Sequence, residues 1–80
     1  MDITIEILLH DRIGLMSEIT SAISAFNAEI IKYHAKVFTD NKSRKMSRCK
    51  VEVSIDEQGV RALLGRLRKI KGVVSLNAFR

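Results

Sequence analysis

Residues 2–26 read DITIEILLHDRIGLMSEITSAISAF, and the apolar period of this stretch changes in the middle. From Asp2 to Leu9, the residues Ile3, Ile5, Ile7 and Leu9 fall on one side, while Asp2, Thr4 and Glu6 fall on the other. A period of two built largely from β-branched residues describes a strand with one buried face. His10 to Gly14 breaks the alternation, and Gly14 supplies the backbone freedom that a turn requires. Leu15, Ile19, Ala22, Ile23 and Phe26 then recur at helical spacing on one face, with Ser17, Glu18, Ser21 and Ser24 opposite. Asn27 can take the left-handed conformation that closes a helix. The stretch is therefore a strand, a tight turn and an amphipathic helix, each with an apolar face that needs a partner.

The rest of the chain supplies one. Ile31, Tyr33, Ala35 and Val37 alternate with Lys32, His34, Lys36 and Phe38, which predicts a second one-sided strand with the first set inward. Asp40-Asn41-Lys42-Ser43-Arg44 is a polar turn. A third strand follows, with Cys49, Val51, Val53 and Ile55 inward and Arg48, Lys50, Glu52 and Ser54 outward. The short connection makes these two strands an antiparallel hairpin. Asp56 is suited to cap a helix in which Val60, Leu63, Leu64, Leu67 and Ile70 repeat, with Lys69 and Lys71 near its negative end and Gly72 after it. Val73 to Phe79 reads as a last strand, with Val74, Leu76 and Ala78 on one side.

The order β-α-β-β-α-β, with one apolar face on every element, predicts an α+β fold. It is a ferredoxin-like βαββαβ sandwich, a four-stranded antiparallel sheet with two helices on one face. Right-handed crossovers place the first and third strands in the centre and leave the second and fourth as edges. Phe38 and Phe79 fall on outward phases of those edge strands.

Eighty residues form one domain, 1–80, with a small core, and a small core favours pairing with a second copy. No apolar run approaches the roughly 18 residues that span a bilayer, so no membrane partner is expected. No leader pattern is present, and the single cysteine, Cys49, has no internal partner; both fit a reducing cytoplasm. The net charge of +5 is spread over the hairpin region, the second helix and the pair Lys32 and Lys36. Solvated faces account for such a spread, and nucleic acid is the functional alternative. His10, His34 and Cys49 do not converge into a metal site, and no nucleophile-base set or phosphate-cradling loop occurs. Neither catalysis nor a cofactor is expected of this chain.

The run Leu9-His10-Asp11-Arg12-Ile13-Gly14-Leu15-Met16, followed by Glu18-Ile19-Thr20 and Ile23, resembles the opening of an ACT domain. Leu63 to Val73, LLGRLRKIKGV, is similar to the second helix and final strand of ACT domains at the C-terminus of RelA/SpoT-type enzymes. Those are the GTP pyrophosphokinases of the stringent response, which make and often degrade (p)ppGpp. The resemblance implies a regulatory segment excised from a larger enzyme, with the chemistry in the missing part. It also implies control through effector binding, self-association as a homodimer, or contact with ribosome and tRNA.

It further implies a site. In amino-acid-binding ACT domains the first turn and an Asn before the second strand hold the effector beside a dimer interface. Carried over, His10, Asp11, Arg12, Ile13, Gly14 and Leu15 form the loop, and the Asn position falls on Glu29, followed by Ile30. A carboxylate at Glu29 departs from the pattern, since it would repel a ligand carboxylate. The competing reading is that Asp11 and Arg12 cap the helix and pair with each other while Gly14 only turns the chain. Two other functions stay open: an amino-acid-sensing ACT domain that stands alone or serves another enzyme, and an RNA-contacting ferredoxin-like module. The outward faces of the first and third strands lack the aromatics that stack bases, so RNA contact would have to come from backbone contacts by the basic helix.

Overall fold

The computed structural model describes residues 1–80. Strand β1 (Asp2–His10) leads through a short loop into helix α1 (Leu15–Ser24). Strands β2 (Glu29–Thr39) and β3 (Lys45–Ser54) form the hairpin. One turn of 3-10 helix (Glu57–Gly59), helix α2 (Val60–Arg68) and strand β4 (Val73–Phe79) complete the chain. The sheet order is β2-β3-β1-β4 with every neighbouring pair antiparallel, so the expected βαββαβ sandwich is the fold. A 15-residue core joins the inward residues of β1 and β3 to Leu15, Ile19, Ala22 and Ile23 of α1 and Leu63 and Leu67 of α2.

The terminators behave as their chemistry requires. Asn27 has φ of 56° and Gly72 of 97°, so each ends its helical segment through the left-handed region. Asp56 accepts a hydrogen bond from the Gln58 N–H and starts the 3-10 turn, which delays α2 itself until Val60.

Two expected phases are corrected at the edges. On β2 the pairing shifts between Ile30 and Lys32, leaving Ile31 without a partner on β3 and 55% exposed. Ile30 takes the inward place opposite Val53. On β4 the shift falls opposite Leu8/Leu9, so Val73 faces Leu9 while Val74 is unpaired and 54% exposed. Each is a β-bulge on an edge strand, where an extra residue bends the strand without breaking a ladder on both sides. The inward phase of Tyr33, Ala35 and Val37 holds, since they pair with Val51, Cys49 and Ser47. Ala35 and Val37 are nevertheless exposed, because no helix covers that end of β2.

Candidate functional site

The loop between β1 and α1 is locked at its back. The His10 N–H donates to the Gly72 carbonyl at 3.0 Å and the Asp11 N–H to the Lys45 carbonyl at 3.0 Å. The Arg12 guanidinium forms an ion pair with Glu18 and donates to the Lys71 carbonyl at 3.3 Å. Arg12 therefore pairs with Glu18 rather than with Asp11, and it staples the loop to the turn before β4. The Asp11 carboxylate makes no hydrogen bond or ion pair in the chain and caps nothing.

The front of the loop is open. Gly14 occupies the N-cap of α1 with φ of 82°, and no side chain caps the helix. A side chain with a Cβ would be strained in this conformation, so glycine is needed here for the backbone rather than for space. The Met16 and Ser17 N–H groups find no partner in the chain. Orphan donors at a helix start, reinforced by the helix dipole, attract an anion.

Beside these donors lies a hollow of about 300 Å³. Asp11, Gly14, Met16 and Ser17 form one wall, and Tyr33, Ala35 and Val37 of β2 form the other. The volume sits at the lower end for small-molecule sites. Tyr33 is fixed at the floor by a 3.5 Å contact between its hydroxyl and the Cys49 thiol. Burial, then the hydrogen bond to Cys49, pushes the phenol well above its ordinary value, so it stays neutral. Two apolar residues that line the hollow are uncovered, Met16 at 57% exposed and Val37 at 53%, and Ile13 of the same loop is 100% exposed.

Of the residues singled out in the sequence, His10 to Leu15 form this loop. Glu29 and Ile30 do not join it within one chain. Glu29 pairs with Ser54, while His10 pairs with Met46 at the other end of the sheet, about 27 Å away at the rise of a strand. Met16, Ser17, Ala35 and Val37 were not read as site residues; only the packing of α1 beside β2 brings them together.

The opposite face of the sheet carries no helix. Thr4, Lys32, His34, Lys50, Glu52 and Phe79 line an open depression of about 490 Å³ there. Phe38 is half-buried on that face, with the Arg48 guanidinium 5.4 Å from its ring centre. Met46, buried between Phe38 and His10 in register, belongs to the same face and was not expected in the core. No cluster of three potential metal ligands occurs.

A family model described as an ACT domain matches residues 1–77. No curated protein matches the chain in sequence. Among solved structures, a Galdieria sulphuraria protein of unknown function superposes with a TM-score of 0.83 at 12% identity; the match covers 96% of this chain and 47% of that one. The ACT domain of GTP pyrophosphokinase from Chlorobium tepidum superposes with a TM-score of 0.71 at 23% identity, covering 98% and 96% respectively. The small subunit of acetolactate synthase from Thermotoga maritima gives a TM-score of 0.73 at 16% identity, covering 98% and 47%. At these identities the likeness is one of fold. This chain spans about half the length of the Galdieria and Thermotoga proteins.

Proposed function

We propose that this chain, which belongs to the ACT domain family of regulatory domains, senses a free amino acid in the hollow between the β1–α1 loop and β2. The observation that carries this reading is the pairing of opposites in one place. Unused N–H donors of Met16 and Ser17 face a wall of Tyr33, Ala35 and Val37. An amino-acid carboxylate fits the donors, and its apolar side chain fits the wall. The unpaired Asp11 carboxylate is placed to accept from the ammonium group.

A second copy would complete the site. The hollow opens at the β2 edge, whose strand is unpaired on its outer side. If two β2 edges meet antiparallel about a two-fold axis, each copy's loop end faces the other's Glu29 end. The partner's Glu29 then reaches the hollow that Glu29 of the same chain cannot. In that setting its carboxylate serves as a second acceptor for the ammonium group, which removes the conflict with a ligand carboxylate. Ile13 and Met16 would be covered by the same pairing.

The parent that the residues 9–23 and 63–73 resemble is a RelA/SpoT-type GTP pyrophosphokinase, and the domain would then set (p)ppGpp synthesis or breakdown in response to the amino acid. The coding sequence upstream checks the parent: a metal-dependent hydrolase segment and a nucleotidyl-transfer segment are expected.

The effector reading is tested by NMR titration of the ¹⁵N-labelled chain with each common amino acid, alongside sedimentation equilibrium. A branched-chain amino acid is expected to shift residues 10–17 and 29–31 together and to move the mass above the 9.0 kDa monomer. Shifts at the loop without residues 29–31 would defeat the shared site, and no localised shift at millimolar ligand would defeat the effector.

A further inference from the structure

The two free edges of the sheet are guarded unequally. Edge strand β2 carries Glu29, Lys32 and Lys36, charges that restrict which strand can pair with it. Edge strand β4, VVSLNAF, carries no charge and no proline. From Ser75 to Phe79 it runs in regular register with β1, and no strand pairs with its outer side. A regular, uncharged edge is a template for one more strand.

The helix layer stops short of this edge. Leu76 and Ala78 face that layer, opposite Ile7 and Ile5. Ile5 and Ile7 are buried, whereas Leu76 is only partly covered and Ala78 is exposed. Met1, Glu57, Val60, Arg61, Leu64 and Arg68 line a hollow of about 430 Å³ on the same side. Arg80, directly after β4, ties that hollow to the end of the strand: its guanidinium lies 3.8 Å from the Glu57 carboxylate and donates to the Met1 Sδ at 3.5 Å. At about 100° per residue, Val60, Leu64, Arg68 and Arg61 share one stripe of α2, with Leu64 between the two arginines along the axis. Residues 60–80 hold six cations and no carboxylate, and of these only Arg80 forms an ion pair. Glu57 is the one acid of the hollow, and Arg80 already occupies it, so Arg61 and Arg68 are uncompensated.

We propose that an acidic segment of a partner protein adds to β4 as a fifth strand and lays its side chains against α2. Main-chain hydrogen bonds to the free edge would hold it, and pockets for alternate side chains would select it. The stripe on α2 sets the pattern. An apolar residue meets Val60 and Leu64, and acids two positions before and after it meet Arg61 and Arg68. Such acids stand about 14 Å apart on a strand, against about 10 Å along the helix between Arg61 and Arg68, and the long arginine side chains span the difference. Charge argues against a second copy on this edge. Two β4 edges meeting about a two-fold axis would set two α2 segments side by side, each with Arg61, Arg66, Arg68, Lys69 and Lys71 and no acid. Like charges brought together in an interface oppose it. This surface is separate from the effector hollow and does not depend on that reading.

The test is fluorescence anisotropy of the full chain with a labelled peptide, Ser-Asp-Thr-Leu-Thr-Asp-Ser, whose seven residues match the length of β4. Binding is expected at low salt and should weaken as salt rises. The peptide with lysine at both acid positions should bind on the order of tenfold more weakly, and the one with alanine for leucine about fivefold. Two further peptides carry N-methyl groups on one or the other alternating set of amides, and one of the two should fail to bind. Arg61→Gln/Arg68→Gln alters only exposed side chains and should lose on the order of tenfold in affinity. Arg66→Gln/Lys69→Gln, equal in charge on another side of α2, should change it less than about threefold. Equal loss in the two variants would overturn the stripe as the contact, and parent-like binding of both N-methylated peptides would overturn strand addition. Displacement of the peptide by an equal concentration of single-stranded RNA of the same length would overturn a protein partner in favour of nucleic acid. A sedimentation mass that rises above the parent's in Arg61→Gln/Arg68→Gln would give the edge to a second copy, and no peptide binding up to about millimolar chain would overturn the proposal as a whole.

Discussion

Ile19 and Met16 lie three residues apart on α1, and truncating each should separate the fold from the site. Ile19 has no exposed surface and is part of the core between α1 and the sheet. Ile19→Ala removes buried methyl groups and leaves a cavity, which costs about 3 kcal/mol at a packed site. A chain of this length is expected to hold only about 4–12 kcal/mol in total. At about 4–8 °C per kcal/mol for a domain of this size, the melting temperature should fall by about 12–24 °C. Met16 is 57% exposed and borders the hollow. Met16→Ala should cost no more than about 0.5 kcal/mol, or about 2–4 °C, yet weaken the amino-acid response. Thermal melts followed by circular dichroism would decide, at one protein concentration throughout, because pairing makes the midpoint concentration-dependent. An Ile19→Ala variant melting within about 4 °C of the parent would refute the packing argument. So would a Met16→Ala variant that melts as low as Ile19→Ala.

Two further expectations concern the backbone of the loop and the acid limb of the hairpin. Gly14→Ala meets no atom within 4 Å, so its cost is the left-handed conformation alone, about 1 kcal/mol or 4–8 °C, and Gly14→Asn should recover part of it; an unchanged melting temperature for the alanine variant would show that the loop does not need the left-handed turn. The Asp40 carboxyl is held below its ordinary value of 3.8, chiefly by the Arg44 N–H, then by the Lys42 N–H and the Arg44 side chain. A lowered folded value stabilises the hairpin above the unfolded value and ceases to do so as pH falls through the folded one. The amide signals of Lys42 and Arg44 should therefore titrate together with a midpoint below 3.8, and a midpoint at or above 3.8 would contradict the turn geometry.

The fold was legible because its decisive signals are local. Alternation of Ile3, Ile5, Ile7 and Leu9, then helical recurrence of Leu15, Ile19 and Ile23, needs only a count along the chain. The two errors of phase, at Ile31 and Val74, share one cause. A bulge on an edge strand inserts a residue without changing the composition of the strand, so alternation counted from the middle comes out one residue off beyond the bulge. In β4 the true pattern, Val73 then Leu76, has no regular period to find. Burial at Ala35 and Val37 failed for another reason. The phase was right, but burial also needs a lid, and how far α1 reaches over β2 is not written in β2.

The candidate site divides along the same line. The loop itself was readable from Asp11, Arg12 and Gly14, since a glycine between a strand and a helix marks a turn with free donors. What holds the loop was not readable. Arg12 binds the carbonyl of Lys71, 59 residues away, and the Asp11 N–H binds the carbonyl of Lys45. Both partners are backbone groups, which carry no signature in a sequence. The same contact to Lys45 ties the β1–α1 loop to the root of the basic hairpin, so the hollow and the hairpin tip lie at one end of the sheet. Counting charges by segment had spread them over three regions. Antiparallel pairing sets Lys36 against Arg48 and gathers Lys42 and Lys45 at the tip, a placement that a count along the chain does not show. Net charge belongs to composition, while its placement across paired strands belongs to topology.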